Sequence, residues 1–106
     1  MAEPSRLDEV EGWTHSPLIW ARRAALVVTL PWTRQNHPRP ADLAVRERVL
    51  GWAAGHAADP DPSIQKAVAW WLRDLSRHDA DRVRTWLAEH GGRLKPWAMR
   101  EAMTHL

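Results

Sequence analysis

The stretch Ser63-Ile64-Gln65-Lys66-Ala67-Val68-Ala69-Trp70-Trp71-Leu72-Arg73-Asp74-Leu75-Ser76-Arg77 decides how this chain folds. At about 100° per residue it separates into two faces. Ile64, Ala67, Val68, Trp71, Leu72 and Leu75 share one. Lys66, Trp70, Arg73 and Arg77 share the other, at i, i+4, i+7 and i+11. The adjacent tryptophans therefore point apart, Trp71 into an apolar stripe and Trp70 among three cations. A flat apolar ring within a basic strip suits a sugar–phosphate chain with stackable bases. A solvated face explains the same pattern, with Asp74 paired to Arg73 or to Arg77. So does a Trp70 packed on a neighbouring helix.

The remaining segments are also helical, without strand-like alternation of useful length. A short first helix is expected over Leu7 to Gly12. Ser16-Pro17 reads as the N-cap and first residue of a second helix, which runs to about Leu30 before Pro31. That helix is apolar on nearly every face, which predicts a central place with neighbours on several sides. Pro31 to Pro40 reads as a loop in which Arg34, His37 and Arg39 extend a basic surface or are simply exposed. A helix follows from about Ala41 to Ala57, with Leu43, Val49, Leu50 and Ala53 inward. Asp59-Pro60-Asp61-Pro62 is a rigid turn ahead of the quoted helix. Asp79 reads as the N-cap of a helix from Ala80 to His90, ended by Gly91-Gly92, with Val83, Trp86 and Leu87 inward. A last helix starts near Pro96, with Met99, Ala102, Met103 and Leu106 as its stripe.

Helix pairs thus follow one another at roughly the 40–47-residue period of HEAT-type repeats. The expectation is one all-α domain over 1–106, a HEAT-like helical array of about five helices. Two pairs and a remnant fall short of the roughly three repeats such an array uses to cover its faces. An exposed apolar patch is expected around the Pro17 to Leu30 helix, and with it a homo-oligomer or a capping partner.

Composition bounds the function classes. A chain of 106 residues, 44% apolar and 26% charged, reads as a globular domain. Without cysteine there are neither disulfides nor thiolate metal sites. No apolar run approaches the roughly 20 residues of a bilayer span, and Met1 to Arg6 carries no signal-peptide core. A cytoplasmic protein with no membrane partner is expected. His15, His37, His56, His78, His90 and His105 show no metal-ligand spacing. No Gly-rich phosphate loop, nucleophile elbow or Ser-His-Asp arrangement is visible, so neither metal nor cofactor is expected.

The net charge is only +2, and all but two of the 15 basic residues are arginine. Arginine favours bidentate phosphate contacts, though the bias fits genome composition equally well. The eight tryptophans stand in for all other large aromatics, and Trp20, Trp52, Trp86 and Trp97 are expected in the core or between repeats. Arg22 and Arg23 lie in an apolar helix. An unpaired buried guanidinium is very costly, so at least one of them must reach solvent, a carboxylate or a phosphate.

Two longer stretches carry a resemblance. They are Trp13-Thr14-His15-Ser16-Pro17-Leu18-Ile19-Trp20-Ala21-Arg22-Arg23-Ala24-Ala25 and Ile64-Gln65-Lys66-Ala67-Val68-Ala69-Trp70-Trp71-Leu72-Arg73-Asp74-Leu75-Ser76, followed by Arg100-Glu101-Ala102 near the end. In order, spacing and wording the chain resembles, from about Leu7 to Leu106, the C-terminal part of the AlkD-like DNA alkylation repair family. These are HEAT-like-repeat DNA glycosylases that remove alkylated, positively charged bases. The resemblance implies a basic concave face that cradles duplex DNA, including alkylated DNA. In family members an aspartate beside a tryptophan stabilises the developing sugar cation, and a second tryptophan helps line that site. Trp70 matches the second tryptophan, and Arg23, Arg73 and Arg77 match backbone-contacting positions. Lys66 joins them through its place on the same helix face. The family's catalytic aspartate lies upstream of the matching region, and no aspartate here sits in its motif. The resemblance therefore predicts DNA binding through Arg23, Lys66, Trp70, Arg73 and Arg77. It predicts no catalytic residue in the chain, as in a fragment of a glycosylase. The alternative is a non-enzymatic HEAT-type protein-interaction module.

Overall fold

In the computed structural model, residues 6–106 are described. Among them are six α-helices and two short 3₁₀ turns, and no strand. The helices are α1 (Leu7–Trp13), α2 (Ile19–Val27), α3 (Pro40–His56), α4 (Pro62–Ser76), α5 (Ala80–His90) and α6 (Pro96–Ala102), with the 3₁₀ turns at Leu30–Arg34 and Gly91–Arg93. The all-α array expected from the sequence is therefore the fold, with six helices rather than about five. No described helix is long and apolar enough to cross a membrane.

The quoted stretch is α4, and it is the hub. It packs against α2, α3, α5, α6 and the first 3₁₀ turn. Ile64, Val68, Ala69, Trp71, Leu72 and Leu75 are all fully buried. Beyond Pro62 at its start, only the strip from Ser63 and Lys66 through Trp70 to Arg73, Asp74 and Arg77 reaches solvent. Asp61 starts the helix cleanly: its Oδ1 accepts from the amides of Ser63 (2.8 Å) and Ile64 (3.2 Å), satisfying two of the donors that open any helix. Asp79 caps α5 in the expected way, accepting from the Arg82 amide at 3.3 Å.

The second helix is not the central one. It buries Ala21, Ala25 and Leu26, while Leu18, Ile19, Trp20 and Val28 stay exposed. Its small residues let its backbone approach α4, and α1 packs on another side, leaving the apolar surface at its two ends exposed. The apolar patch expected there is present. The helix is also shorter than its sequence suggests. The Ser16 hydroxyl accepts from the Leu18 amide (3.1 Å) in a local turn and Leu18 is extended, so the helix begins at Ile19. This is the usual competition between a short polar side chain and the helical backbone. At the far end the chain tightens into the 3₁₀ turn that buries Trp32. Two further expectations fail: Leu43 on α3 and Met103 after α6 are exposed.

Several polar side chains inside the core find partners, although the indole nitrogen of buried Trp32 has none among the described residues. Gln65, 1% exposed, donates through Nε2 to the carbonyls of Ala57 (2.9 Å) and Asp59 (2.7 Å), and its Oε1 accepts from the Lys95 amide (3.0 Å). It thus ties the turn before α4 to the residue that opens α6. Trp71 Nε1 donates to the buried Thr29 hydroxyl (3.1 Å), and Trp86 Nε1 to the Leu50 carbonyl (3.0 Å). Arg46, 4% exposed, holds the first 3₁₀ segment by donating to the carbonyls of Trp32 and Gln35, both at 2.8 Å. Burial pushes its guanidinium pKa below the ordinary value, against the pull of Asp79 and Asp42.

Truncating Gln65 leaves two carbonyls and one amide without partners. Gln65→Ala should therefore cost at least about 2 kcal/mol, read as a lower urea midpoint at unchanged m-value.

Two ion-pair clips lie nearer the surface. Arg48 bridges α3 to Asp8 (2.6 Å) and Glu11 (3.2 Å) of α1, and Arg82 of α5 meets Glu47 of α3 at 2.7 Å. The bond from Arg48, then that from Trp52, holds the Glu11 carboxyl below its ordinary value. Arg82 does the same for Glu47. A carboxylate with a depressed folded-state pKa stabilises the fold above its unfolded value, and that contribution disappears as pH falls through the folded one. The melting temperature should thus decline as pH drops below about 4.5, and Glu11→Gln should flatten that decline.

Candidate nucleic-acid interface

The N-terminal ends of α2 and α4 flank an open cleft of about 770 Å³. Pro17, Leu18, Ile19, Trp20 and Arg23 line it from the α2 side, and Ser63, Lys66 and Trp70 from α4. No carboxylate lines it. Neither Arg23 nor Lys66 makes an ion pair among the described residues. The Lys66 ammonium lies 6.0 Å from the centre of the Trp70 ring, at the outer limit of a cation–π contact. Lys66 and Trp70 are one turn apart on α4, which is why the solvent-facing strip delivers them together. α2 starts with no side-chain cap, so the positive end of its dipole adds to the two cations.

Neighbouring cations behave differently. Arg22 turns away from the cleft, donating to the Ser16 carbonyl (2.8 Å) and standing 3.5 Å from Asp59. The adjacent arginines therefore divide the alternatives set by their sequence, one taking a carboxylate and the other facing solvent. Arg73 is tied across to α6 through Glu101 (2.6 Å), with its Nε 3.9 Å from Asp74. Asp74 pairs with Arg34 of the first 3₁₀ turn at 3.1 Å rather than with Arg77. Arg77 is exposed and donates from Nε to His105 Nε2 (2.9 Å). Together with Arg34, Asp74 and His78 it lines a smaller hollow of about 260 Å³.

Of the five residues expected to contact DNA, Arg23, Lys66 and Trp70 thus share one cleft. Arg73 is engaged by an acid on another helix, and Arg77 stands at the far end of the strip. Sequence reasoning places Trp20 in the core or between repeats, and the residue is instead 69% exposed. The i, i+3 spacing of Trp20 and Arg23 is the signal that could have found it, since it sets both on one helix face. Trp52 and Trp86 are buried and Trp97 half-buried, in keeping with a core role.

The chain matches the DNA alkylation repair enzyme family along residues 1–106, and so belongs to that family. Neither the curated proteins nor the solved structures yield a match. Membership agrees with the resemblance carried by the Trp13–Ala25 and Ile64–Ser76 stretches and connects the chain to DNA alkylation repair.

The burial pattern predicts a fluorescence test. Acrylamide should quench Trp20 most strongly and leave Trp71 and Trp86 shielded. Trp20→Phe should remove the most quenchable part of the emission.

Proposed function

We propose that this chain binds duplex DNA, including alkylated DNA, through the cleft between α2 and α4. The observation that carries this reading is the lining: two cations without acid partners among the described residues, Arg23 and Lys66, beside the half-buried ring of Trp70 and with no carboxylate among the lining residues. Such a surface attracts a polyanion and releases its counterions on contact. Membership in the alkylation-repair family supports DNA as the partner. Glycosidic-bond cleavage in that family would leave positive charge on the sugar, which a nearby carboxylate stabilises. The cleft supplies no such group, so its residues are assigned to binding, with Trp70 offering a π face to a cationic base or sugar. Arg77, with Arg34 and His78, extends the contact along the backbone.

Exposed Leu18, Ile19 and Val28 favour a second reading, a protein-interaction module whose apolar patch takes a partner or a second copy. Salt separates the two. Duplex affinity should fall steeply with ionic strength, and Arg23→Ala with Lys66→Ala should reduce the log–log slope by about 0.9 for each phosphate no longer neutralised. Trp70→Ala should weaken binding by about 1–3 kcal/mol without loss of fold, whereas Trp71→Ala should unfold the chain. No duplex binding at low salt would leave the interaction module as the better account. Equal affinity of folded wild type and Trp70→Ala would remove Trp70 from the interface.

A further inference from the structure

We propose that the C-terminal segment from Glu101 to His105 is a built-in competitor for DNA, holding Arg73 and Arg77 until phosphates take them. This rests on the DNA-binding reading above and adds how the far half of the cationic strip is controlled. The Arg100-Glu101-Ala102 motif has no part in that reading, yet Glu101 sits on one of its cations. Glu101 Oε1 accepts from Arg73 Nη1 at 2.6 Å, and His105 Nε2 accepts from Arg77 Nε at 2.9 Å. Arg73 and Arg77 are one turn apart at the end of α4, and both contacts span 28 residues of sequence. The segment therefore runs beside α4 in register and in the same direction, and it occupies two consecutive cations of the strip. Its place is fixed by packing. α6 contacts α4 more extensively than any other element does, with Ala98 and Ala102 fully buried.

The hold is of a kind that gives way to phosphate. Arg73 grips Glu101 through a single nitrogen. Its Nε is buried with no hydrogen-bond partner among the described residues, 3.9 Å from an Asp74 carboxylate already paired with Arg34. Arg77 meets an uncharged ring nitrogen, since a nitrogen that accepts a bond carries no proton. The Arg73 and Glu101 side chains are each 35% exposed, and an ion pair in contact with water is weak. A phosphate offers an arginine two oxygens at once, and a duplex adds the release of its counterions. Arg23 and Lys66 make no ion pair among the described residues. The cleft therefore makes first contact, and the far cations follow as the duplex displaces the segment from them.

The test measures affinity of the full chain for one paired DNA duplex at low salt. Glu101→Ala should bind about three- to fivefold more tightly than wild type, the range set by a released surface ion pair. The gain should vanish when Arg73→Ala is added, since the two residues then no longer couple. Glu89→Ala removes an acid from α5 outside the strip and should change affinity by less than about twofold, because salt screens a distant charge. His105→Ala removes an uncharged acceptor and should tighten binding by about twofold, an effect lost when Arg77→Ala is added. Glu101→Gln keeps the side chain's shape and should gain part of the increase, which decides the matter if the alanine variant does not fold. Unchanged or weaker binding by both Glu101 variants, with wild-type binding intact, overturns the competitor and spares the DNA-binding reading. A gain that persists with Arg73→Ala, or that Glu89→Ala equals, shows bulk charge at work and overturns it too. So does a His105→Ala variant without any gain. No duplex binding by any variant overturns the proposal and the reading beneath it together.

Discussion

Everything in this fold is arranged around keeping α4 buried, and the interaction that makes this possible is the threefold hydrogen bonding of Gln65. A helix packed against four others has little water to satisfy a polar side chain on its inner faces, and an unmet amide there is strongly destabilising. Gln65 meets both needs of its own group and, in doing so, fixes the turn before α4 against the start of α6. Trp71 works in the same way at the other flank, joining α4 to the end of α2 through Thr29. Alanines at the contact surfaces, Ala21 and Ala25 on α2 and Ala98 and Ala102 on α6, let the flanking backbones come close enough for these bonds to form.

The same enclosure produces the candidate site. Because α4 is covered nearly all round, its one uncovered strip is narrow, and what it carries is forced to the surface together. α2 lies along one side of that strip and contributes Arg23 and Trp20. Six acids among the described residues are engaged elsewhere: Asp59 on Arg22, Asp74 on Arg34, Glu101 on Arg73, Asp8 and Glu11 on Arg48, and Glu47 on Arg82. A chain with a net charge of only +2 thereby acquires a local surface with cations and no counter-charge among the described residues. Electrostatic attraction for a polyanion depends on that local arrangement more than on the total.

Much of the fold was legible because helix signals are local. Periodicity marked both faces of α4, aspartates marked the starts of α4 and α5, and prolines bracketed the turns. The failures are equally physical. Ser16 has the right chemistry for an N-cap, yet its hydroxyl closes a shorter turn. Leu43 and Met103 fit their stripes, but burial requires a neighbour opposite, and periodicity cannot say whether one exists. Arg46 carries no sequence signal of its own, and it is buried because two carbonyls of the first 3₁₀ segment and its flank converge on it.

For the site, the sequence by itself determined that Lys66, Trp70, Arg73 and Arg77 share a face, since spacing on one helix fixes that. It also carried, through its wording, the family to which the chain belongs. Only the tertiary structure decided which of these cations are free, because the acids that claim Arg73 and Arg22 come from residues distant in sequence. Only it showed that the apolar second helix lies at the edge, leaving Trp20 open beside Arg23. Hydrophobicity tells a residue to seek cover, but whether cover exists depends on which helices the chain can bring alongside.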